Sequence, residues 1–565
     1  MKKGKFGAFI AVLIALLLIG IAGTLYYLQM LEWHTEMYAA GTTNTVAVYG
    51  EDGAGGLAEA GRLVRGNQVN AYQKKKVIDG IEYVQVQTDA ELITDEESSK
   101  TYRFELYMRT DELTESPDDV VREKERYVRT PVTIYAEAEG PAIASFAPKG
   151  TCLAVTGYDE MDEMGNVHKY RVKYGEGDNA GEGYVYSKYL VTSQEAADAV
   201  YNENGETDAA AEDEYGFDLY GGHAKNLDYY PYERPVIEGN EFCKYARAMY
   251  LNGVAAVNPD SYINIIKKTD CNAVVMDIKD GYLAYQSEVA KEISPTSYRS
   301  AYSTVETYRK GVDKLRETGV YLIGRIVVFN DPEYAKDHPK DCIKYNGSSS
   351  WPSAYSRNVW EYNVRLAQEA IREFGFNEIQ FDYVRFPEAT YNMSKSGKAN
   401  FRNTYKEEKG QAIQNFCFYA ADQIHEAGAY FSVDVFGESV YGYMTAYGQY
   451  WPALSNIVDA ISAMPYTDHT GGEGAWKKPY DTMKNWGKRA KKMQDRLSDP
   501  AVPRTWITGY NTPYWAPTEN YNEAKLKSQI NGLEEAGLRG GFIPWNALSD
   551  VDKYNQYKGI WNEKN

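Results

Sequence analysis

The chain has few residues of the kinds that hold metals or form crosslinks. Its 565 residues include only six dispersed His and five Cys. The Cys form no Cys-x-x-Cys pair and no Cys/His cluster, so we expect neither a disulfide framework nor a zinc site. The sequence also lacks a GxSxG elbow, an HExxH pair and a phosphate-binding loop. These absences argue against serine hydrolase, zinc protease and NTPase chemistry. We therefore predict no metal and no cofactor.

Positive charge is also in deficit. The chain has 61 Lys and Arg against 80 Asp and Glu, a formal net charge of −19. An acidic surface repels a phosphate backbone, which argues against a nucleic-acid partner. Hydrophobic residues make up 43% and charged residues 25%, as in ordinary globular proteins, so a disordered, collagen-like or polytopic membrane chain is excluded. The length predicts three or four domains at about 150 residues each.

One long apolar run stands at the amino terminus. Residues 6–28 carry no charge and follow three Lys within the first five residues. The run is long enough to cross a bilayer as a helix, and the preceding Lys predict that the amino terminus stays in the cytoplasm. The alternative is a cleaved signal peptide, but its apolar core would be about 7–15 residues and end in small residues. We predict an anchor over residues 1–30 in a single-pass cell-membrane protein whose later domains are extracytoplasmic.

Two small β modules are predicted next, over residues 42–115 and 127–192. Strand-like alternation appears in TVAVYG and IEYVQVQT of the first and in TPVTIYAE and HKYRVKYG of the second. Both end in similar tyrosine-containing strands, LYMRTDEL and VYSKYLVT, a weak repeat that indicates two small barrels. The second, through its GYVYSKYL ending, resembles bacterial Src-homology-3-like domains. That resemblance implies contact with the cell wall; the alternative is a spacer.

The acidic, Ala-rich composition of the following stretch predicts a linker over residues 193–235. From residue 236 to 565, eight apolar strand-like runs alternate with amphipathic helices, several of which end in Gly. That number of units and that length are typical of an α/β TIM barrel, a closed (β/α)8 sheet. The alternative, an open doubly wound sheet, usually has GxGxxG after its first strand, and the motif is missing here.

Polar residues within these apolar strands are the candidate site. A charge in mid-strand is costly unless it faces the open carboxy-terminal mouth of the barrel, and side chains alternate faces with period two. Four pairs therefore share a face near a strand end, and Arg325 stands alone. The pairs are Asp277 with Lys279, Gln380 with Asp382, Ser432 with Asp434, and Tyr466 with Asp468.

Several carboxylates at one mouth fit glycoside hydrolysis, which needs one carboxyl as acid and a second as nucleophile or base. Nearby Arg325 and Arg385 would keep one Asp ionised, while a more buried one keeps its proton. The catalytic candidates are Asp382, Asp434 and Glu438. The candidate substrate contacts are Asp277, Lys279, Arg325, Gln380, Arg385, Tyr466, Asp468 and Trp545. Structural roles are the alternative: an ion pair of Asp382 with Arg385, and one of Asp277 with Lys279.

Four motifs in this region match a known family. They are IQFDYVRFP (379–387), VVMDIKDG (274–281), SVDVFG (432–437) and AISAMPYTD (460–468). With them, residues 236–561 resemble a family of glycoside hydrolase-like domains of bacterial surface proteins. The resemblance implies a TIM-barrel glycosidase-like domain with Asp382, at the end of the fourth strand, as the leading catalytic residue. It implies no firm second carboxylate; we nominate Asp434, with Glu438 and Asp277 as substitutes.

The expected function is that of a membrane-anchored glycosidase acting on a cell-envelope or other polysaccharide. A carbohydrate-binding surface protein without turnover is the alternative, because the barrel alone does not separate the two. Polysaccharide deacetylation ranks third, since it requires a metal site of Asp and His ligands and only His469 lies among the strand-end residues.

Overall fold

The computed structural model describes residues 20–21, 33–94, 105–201, 217–218 and 220–562. These residues form two compact units. The first extends to residue 197, apart from residues 131–133 and 139–146, which belong with the second. The predicted membrane anchor lies outside the described residues except for Gly20 and Ile21. In the part of the chain that is described, no helix has the length and apolar character needed to cross a bilayer.

The first unit consists of antiparallel β-structure, as predicted. Its first seven-stranded sheet buries a core that includes Val48, Leu63 and Met108. The strands of this sheet are His34–Ala39, Thr45–Glu51, Leu57–Val64, Gln68–Ile78, Ile81–Gln87, Leu106–Arg109 and Leu113–Thr114. The strands of the second sheet are Glu125–Val128, Val132–Tyr135, Ile143–Ala147, Cys152–Tyr158, Lys169–Tyr174, Gly181–Tyr186 and Leu190–Val191. The likeness to Src-homology-3 domains stays a prediction.

The second unit contains the predicted barrel. Its eight parallel strands are β1 (Ala246–Leu251), β2 (Ala273–Asp280), β3 (Tyr321–Val327), β4 (Glu378–Asp382), β5 (Tyr430–Phe436), β6 (Ala460–Met464), β7 (Val502–Thr508) and β8 (Gly541–Trp545). The sheet is closed because β1 pairs in parallel with both β2 and β8. Closure confirms the TIM-type barrel and rules out the open doubly wound sheet. A short strand, Tyr282–Leu283, turns back antiparallel on the end of β2.

Helices connect successive strands. The helix Arg357–Phe374 ends where Gly375 adopts a left-handed φ of 61°, a conformation that glycine accepts without strain. Lys409–Glu426 begins with a capping box formed by Glu408 and Gln411. The other helices of the barrel are Gly253–Val257, Asp260–Ile266, Glu288–Ile293, Pro295–Arg299, Val305–Arg316, Pro332–Asp337, Thr390–Ser396, Trp451–Ser455, Pro479–Gln494, Glu523–Glu535 and Val551–Tyr557. The loop side of this ring, at the carboxyl ends of the strands, is where barrels of this type keep their active sites.

The end of the predicted linker packs against the second unit. Ala224, Leu227 and Tyr229 are buried in an apolar cluster with Met444 and Tyr450. Residues 193–218 are acidic, but these apolar side chains lie after them in the sequence. The average composition of residues 193–235 therefore did not reveal an apolar segment at its end. The packed part of the second unit therefore begins before residue 236.

The base of the barrel interior is polar, and its side chains bond to one another, although Oε1 of Gln380 and Nε of Arg504 have no hydrogen-bond partner among the described residues. Glu378, the first residue of β4, accepts hydrogen bonds of 2.5 Å from both Arg504 and Ser432 on the same oxygen, and Tyr321 donates to the other at 3.1 Å. Gln380 is the next inward residue of β4 and donates to Ser462 at 3.1 Å. Gln380 is fully buried below the mouth, so it does not line the surface for which it was predicted.

Candidate active site

One buried guanidinium organises the mouth of the barrel. Arg325 of β3 donates to Asp277 at 2.6 Å and to Asp280 at 3.1 Å through Nη1. It donates to Asp382 at 2.5 Å through Nη2, and its Nε lies 3.7 Å from Oδ2 of Asp434. The carboxyl groups come from the ends of β2, β4 and β5, so neighbouring strands place them around one cation. A single positive charge therefore serves four carboxyl groups.

Aromatic side chains enclose this cluster. The hydroxyl of Tyr250 donates to Asp277 at 2.5 Å, and the indole of Trp506 donates to Asp434 at 2.8 Å. The ring of Trp545 lies 4.8 Å from that of Tyr250 and 5.6 Å from the guanidinium of Arg325. Aromatic rings exclude water and strengthen electrostatic interactions within the cluster.

Burial controls the protonation of two carboxyl groups. It raises the pKa of Asp277 to about 7, despite the opposing effect of Arg325. Burial, reinforced by the negative charge of Asp382, raises the pKa of Asp434 well above its ordinary value. Burial therefore favours the protonated form of Asp434. Its Oδ2 is buried and has no hydrogen-bond partner among the described residues.

Asp382 is held in place from two sides. Its Oδ2 accepts the bonds from Arg325, and its Oδ1 accepts from the backbone N–H of Tyr383 at 2.6 Å. Tyr383 has a left-handed φ of 54°, a conformation that costs a bulky residue about 1–2 kcal/mol. The strained turn directs the amide of Tyr383 toward the carboxylate, which leaves Asp382 only 4% exposed.

A cleft of about 190 Å³ opens beside the cluster. Asp277 and Asp280 form part of its floor, and the side chain of Asp280 is 43% exposed. Tyr250, Tyr282 and Tyr302 line its walls. The volume is below that of a typical pocket for a drug-sized ligand, so the cleft suits a single sugar ring.

Lys279 departs from its predicted position. The pairing of β2 with β3 is irregular between Asp277 and Lys279, as in a β-bulge. Lys279 instead donates to Asp331 at 2.6 Å and to Asn363 at 2.8 Å. The expectation that Asp277 and Lys279 share a face or pair with each other is therefore wrong, because a bulge breaks the period of two.

Arg385 also has other partners than expected. It donates to Glu388 at 3.1 Å, and its guanidinium lies 4.2 Å from the ring centre of Phe436. Asp382 pairs with Arg325 instead. The left-handed turn at Tyr383 ends the strand geometry on which the pairing of Asp382 with Arg385 was predicted.

Glu438 and Asp468 lie in loops outside the Arg325 cluster. Glu438 follows β5 and accepts a hydrogen bond from the hydroxyl of Tyr447. Asp468 follows β6 and accepts from Tyr510 at 2.7 Å and from the ring of His469 at 2.9 Å. Burial opposes the ionisation of Asp468, but these hydrogen bonds outweigh it and hold its pKa below the ordinary value.

Three members of the site escaped the sequence analysis. Asp280 is out of phase with Asp277 under strict alternation, and the bulge brings it into contact with Arg325. Tyr250 and Trp506 belong to apolar strand runs in which nothing marks a hydrogen-bonding role. Within the described residues, no group of three or more His, Cys, Asp or Glu side chains is arranged to hold a metal ion.

The chain matches one family model in sequence. The model is described as "Putative glycosyl hydrolase domain" and matches residues 248–550, which is more than half of the chain. No curated protein matches the sequence.

The chain is similar to several solved structures, among them a hypothetical protein from Ruminiclostridium thermocellum ATCC 27405, with 29% identity over 33% of this chain and 97% of that chain, at a TM-score of 0.28. The PgaB (BpsB) glycoside hydrolase domain from Bordetella bronchiseptica has 11% identity over 57% of this chain and 100% of its own, at a TM-score of 0.40. The β-N-acetylhexosaminidase from Bacteroides fragilis NCTC 9343 has 12% identity over 57% of this chain and 66% of its own, at a TM-score of 0.38.

Proposed function

Because the chain belongs to the family of putative glycosyl hydrolase domains, we propose that its barrel hydrolyses the glycosidic bonds of a polysaccharide. The observation that carries this proposal is the Arg325 cluster. It holds an Asp382 carboxylate by two hydrogen-bonding groups and, beside it, an Asp277 whose pKa is raised to about 7. Glycoside hydrolysis needs two carboxyl groups in unequal environments such as these.

Asp277 is assigned as the proton donor. It lines the cleft, and a pKa near 7 lets it hold a proton and release it to the glycosidic oxygen at neutral pH. The sequence had favoured Asp434 or Glu438 for this role. Asp434 is fully buried and lies out of reach of a substrate, and burial raises its pKa well above the ordinary value. Glu438 is engaged by Tyr447.

Asp382 is assigned as the nucleophile or as the electrostatic stabiliser of an oxocarbenium-like transition state. Arg325 fixes its orientation and also contacts Asp277, so one group positions both carboxyls. Burial favours the neutral form of Asp434, which avoids a further negative charge beside Asp382. After Asp277 has given its proton to the leaving group, it can take a proton from a water molecule that enters through the cleft, and the hydroxyl of that water replaces the leaving group at the anomeric carbon.

Hydrolysis itself is the test of this function. The purified full chain is incubated with a panel of cell-wall polysaccharides, and new reducing ends are measured. We expect release from at least one polymer. Binding of a polymer without release would favour the second function.

The second function is carbohydrate binding without turnover. One observation favours it: both oxygens of Asp382 already accept hydrogen bonds, and the residue is only 4% exposed. A carboxylate in that state is also what a purely structural ion cluster would show. In that case Asp382→Asn would leave polysaccharide binding unchanged.

We also propose that the amino-terminal apolar run anchors the protein in the cell membrane and that the barrel lies outside the cytoplasm. The charge-free run and the preceding Lys support this topology. Protease added to intact, wall-stripped cells should then remove the barrel. A barrel that stays fully protected, while a cytoplasmic marker is protected equally, would contradict the topology. Contact of the first unit with the cell wall is part of the same proposal.

The activity should depend on pH through Asp277. Its pKa is raised to about 7, so the proton that it donates is present below pH 7 and is lost as the pH rises through that value. We expect kcat to fall above about pH 7. Asp277→Asn should cost about 10²–10⁴-fold at pH 6, and the difference from the wild type should shrink as the pH rises above 7. Asp313→Asn, on the outer helix Val305–Arg316, is the control and should match the wild type. A wild-type profile that stays flat from pH 6 to 9 would remove Asp277 from the donor role.

A further inference from the structure

Two aromatic side chains project from the loop after β7. Tyr514 is 74% exposed and Trp515 is 64% exposed, and no other aromatic side chain among the described residues is exposed to that degree. Exposure of large aromatic rings is unfavourable in water, and clustered exposed aromatics usually mark a binding surface. We call Tyr466, His469, Tyr510, Tyr514 and Trp515 the rim strip.

A buried carboxylate fixes the rim strip. Asp468 has a fully buried side chain and accepts three hydrogen bonds. The hydroxyl of Tyr510 and the backbone N–H of Tyr514 each donate at 2.7 Å, and the ring of His469 donates at 2.9 Å. The loops after β6 and β7 are therefore tied together at one point. The exposed rings stand on a rigid support and not on a free loop.

The rim strip runs continuously from the carboxyl cluster outward. The phenol of Tyr466 interacts electrostatically with Asp382 and Asp434, and burial together with these charges raises its pKa. From Tyr466 the ring centres follow at 6.0 Å to His469 and then at 6.2 Å to Trp515. Each step is about one ring, so the strip leads from the reacting carboxyls to the exposed indole without a gap.

We propose that the rim strip binds the sugar units of a polysaccharide chain that extends beyond the cleft. This inference rests on the proposed function and specifies its substrate as a polymer of several units. The cleft has about the volume of one ring, so further units must lie outside it. The rim strip begins at Tyr466, beside Asp382 and Asp434. Aromatic faces pack against the C–H faces of sugars, while the Tyr hydroxyls and the His469 ring hydrogen-bond with sugar hydroxyls. A strip with this alternation of apolar faces and polar edges fits a glycan better than a lipid surface.

The test compares a long and a short substrate. Trp515→Ala in the full chain should raise KM for the intact polysaccharide about five- to tenfold, the loss expected for one stacked aromatic contact. It should leave kcat/KM unchanged for the shortest oligosaccharide of the same polymer that the wild type cleaves. Trp33→Ala removes an exposed Trp from the first unit and is the matched control. Equal loss on both substrates would indicate only structural damage and overturn the proposal, as would no loss on either.

A binding measurement separates this proposal from the proposed function. If the wild type cleaves nothing, the proposed hydrolysis is wrong. Electrophoresis in gels that each contain one of the cell-wall polysaccharides of the panel still tests binding by the rim strip. Retardation of the wild type and of Trp33→Ala, with Trp515→Ala migrating as in an empty gel, would support the strip. Equal retardation of all three would overturn it. Loss of vesicle binding in Trp515→Ala, with glycan binding intact, would overturn it in favour of a lipid surface.

Discussion

Replacement of Asp382 by Asn is expected to lower kcat/KM on the cleaved polysaccharide by about 10³-fold or more. Asn keeps the size of the side chain, and its one amide oxygen can still accept from Arg325, whereas its NH2 group then faces the backbone N–H of Tyr383. It does not carry the negative charge that faces the developing positive charge of the transition state, and such a loss costs about 4 kcal/mol or more. The measurement is the steady-state rate of reducing-end release.

Folding must be checked beside that rate. Asp382→Asn should lose about 1–3 kcal/mol of unfolding free energy, because the backbone N–H of Tyr383 loses its acceptor. It should stay folded, because the buried guanidinium keeps Asp277 and Asp280 as partners. Asp313→Asn, an exposed change of the same kind, should retain full activity. A folded Asp382→Asn variant with nearly wild-type turnover would remove Asp382 from the chemistry.

Replacement of Arg325 by Met is expected to produce the largest loss of stability. Its guanidinium lies within 4 Å of four carboxyl groups, and all of them except Asp280 are themselves buried. Removing one partner of a buried ion pair costs about 3–5 kcal/mol, since the remaining charges stay buried without compensation. We expect the free energy of unfolding, measured with denaturant, to fall by that amount.

The pH dependence of that loss distinguishes charge from packing. The pKa of Asp277 is already raised by burial, and removal of Arg325 raises it further. At low pH the buried carboxyl groups can be neutralised by protonation. The loss of unfolding free energy in Arg325→Met should therefore be smaller at pH 5 than at pH 8. Arg372→Met, at an exposed helix position, should change stability by less than about 0.5 kcal/mol. An equal deficit at both pH values would show that Arg325 acts only by filling space.

The strand alternation explains how much of this arrangement was predictable. Regular strands carry their side chains with a period of two, so Asp277, Arg325, Asp382 and Asp434 could be assigned to one face before the structure was known. The barrel followed from the count of strand–helix units, because each amphipathic helix has to cover one strand of a closed sheet.

The failures occur where the backbone leaves that regularity. A bulge in β2 sends Lys279 to Asp331 and brings Asp280 to Arg325. A left-handed residue, Tyr383, separates Arg385 from the carboxylate that precedes it. Neither irregularity leaves a Gly or Pro signal in the sequence, so strict alternation was extended too far.

Contacts between strands distant in the chain were also beyond the sequence. Tyr250 and Asp277 meet across β1 and β2, and Trp506 of β7 reaches Asp434 of β5 through the barrel interior. Because both aromatic residues lie in apolar strand runs, the sequence predicts only that they belong to the hydrophobic core. Their hydrogen bonds depend on closure of the sheet, which no local pattern encodes.

The central claim is that the Arg325 cluster hydrolyses a glycan and does not merely bind it. A time course of the anomeric proton signals by NMR tests this most directly. The sample contains the full chain and a polysaccharide that retards the protein in gels. We expect the anomeric signals of new reducing ends to grow with the wild type and to be absent with Asp382→Asn. Broadening of the polysaccharide signals by the wild type, with no new anomeric signal, would contradict the claim and leave a carbohydrate-binding protein.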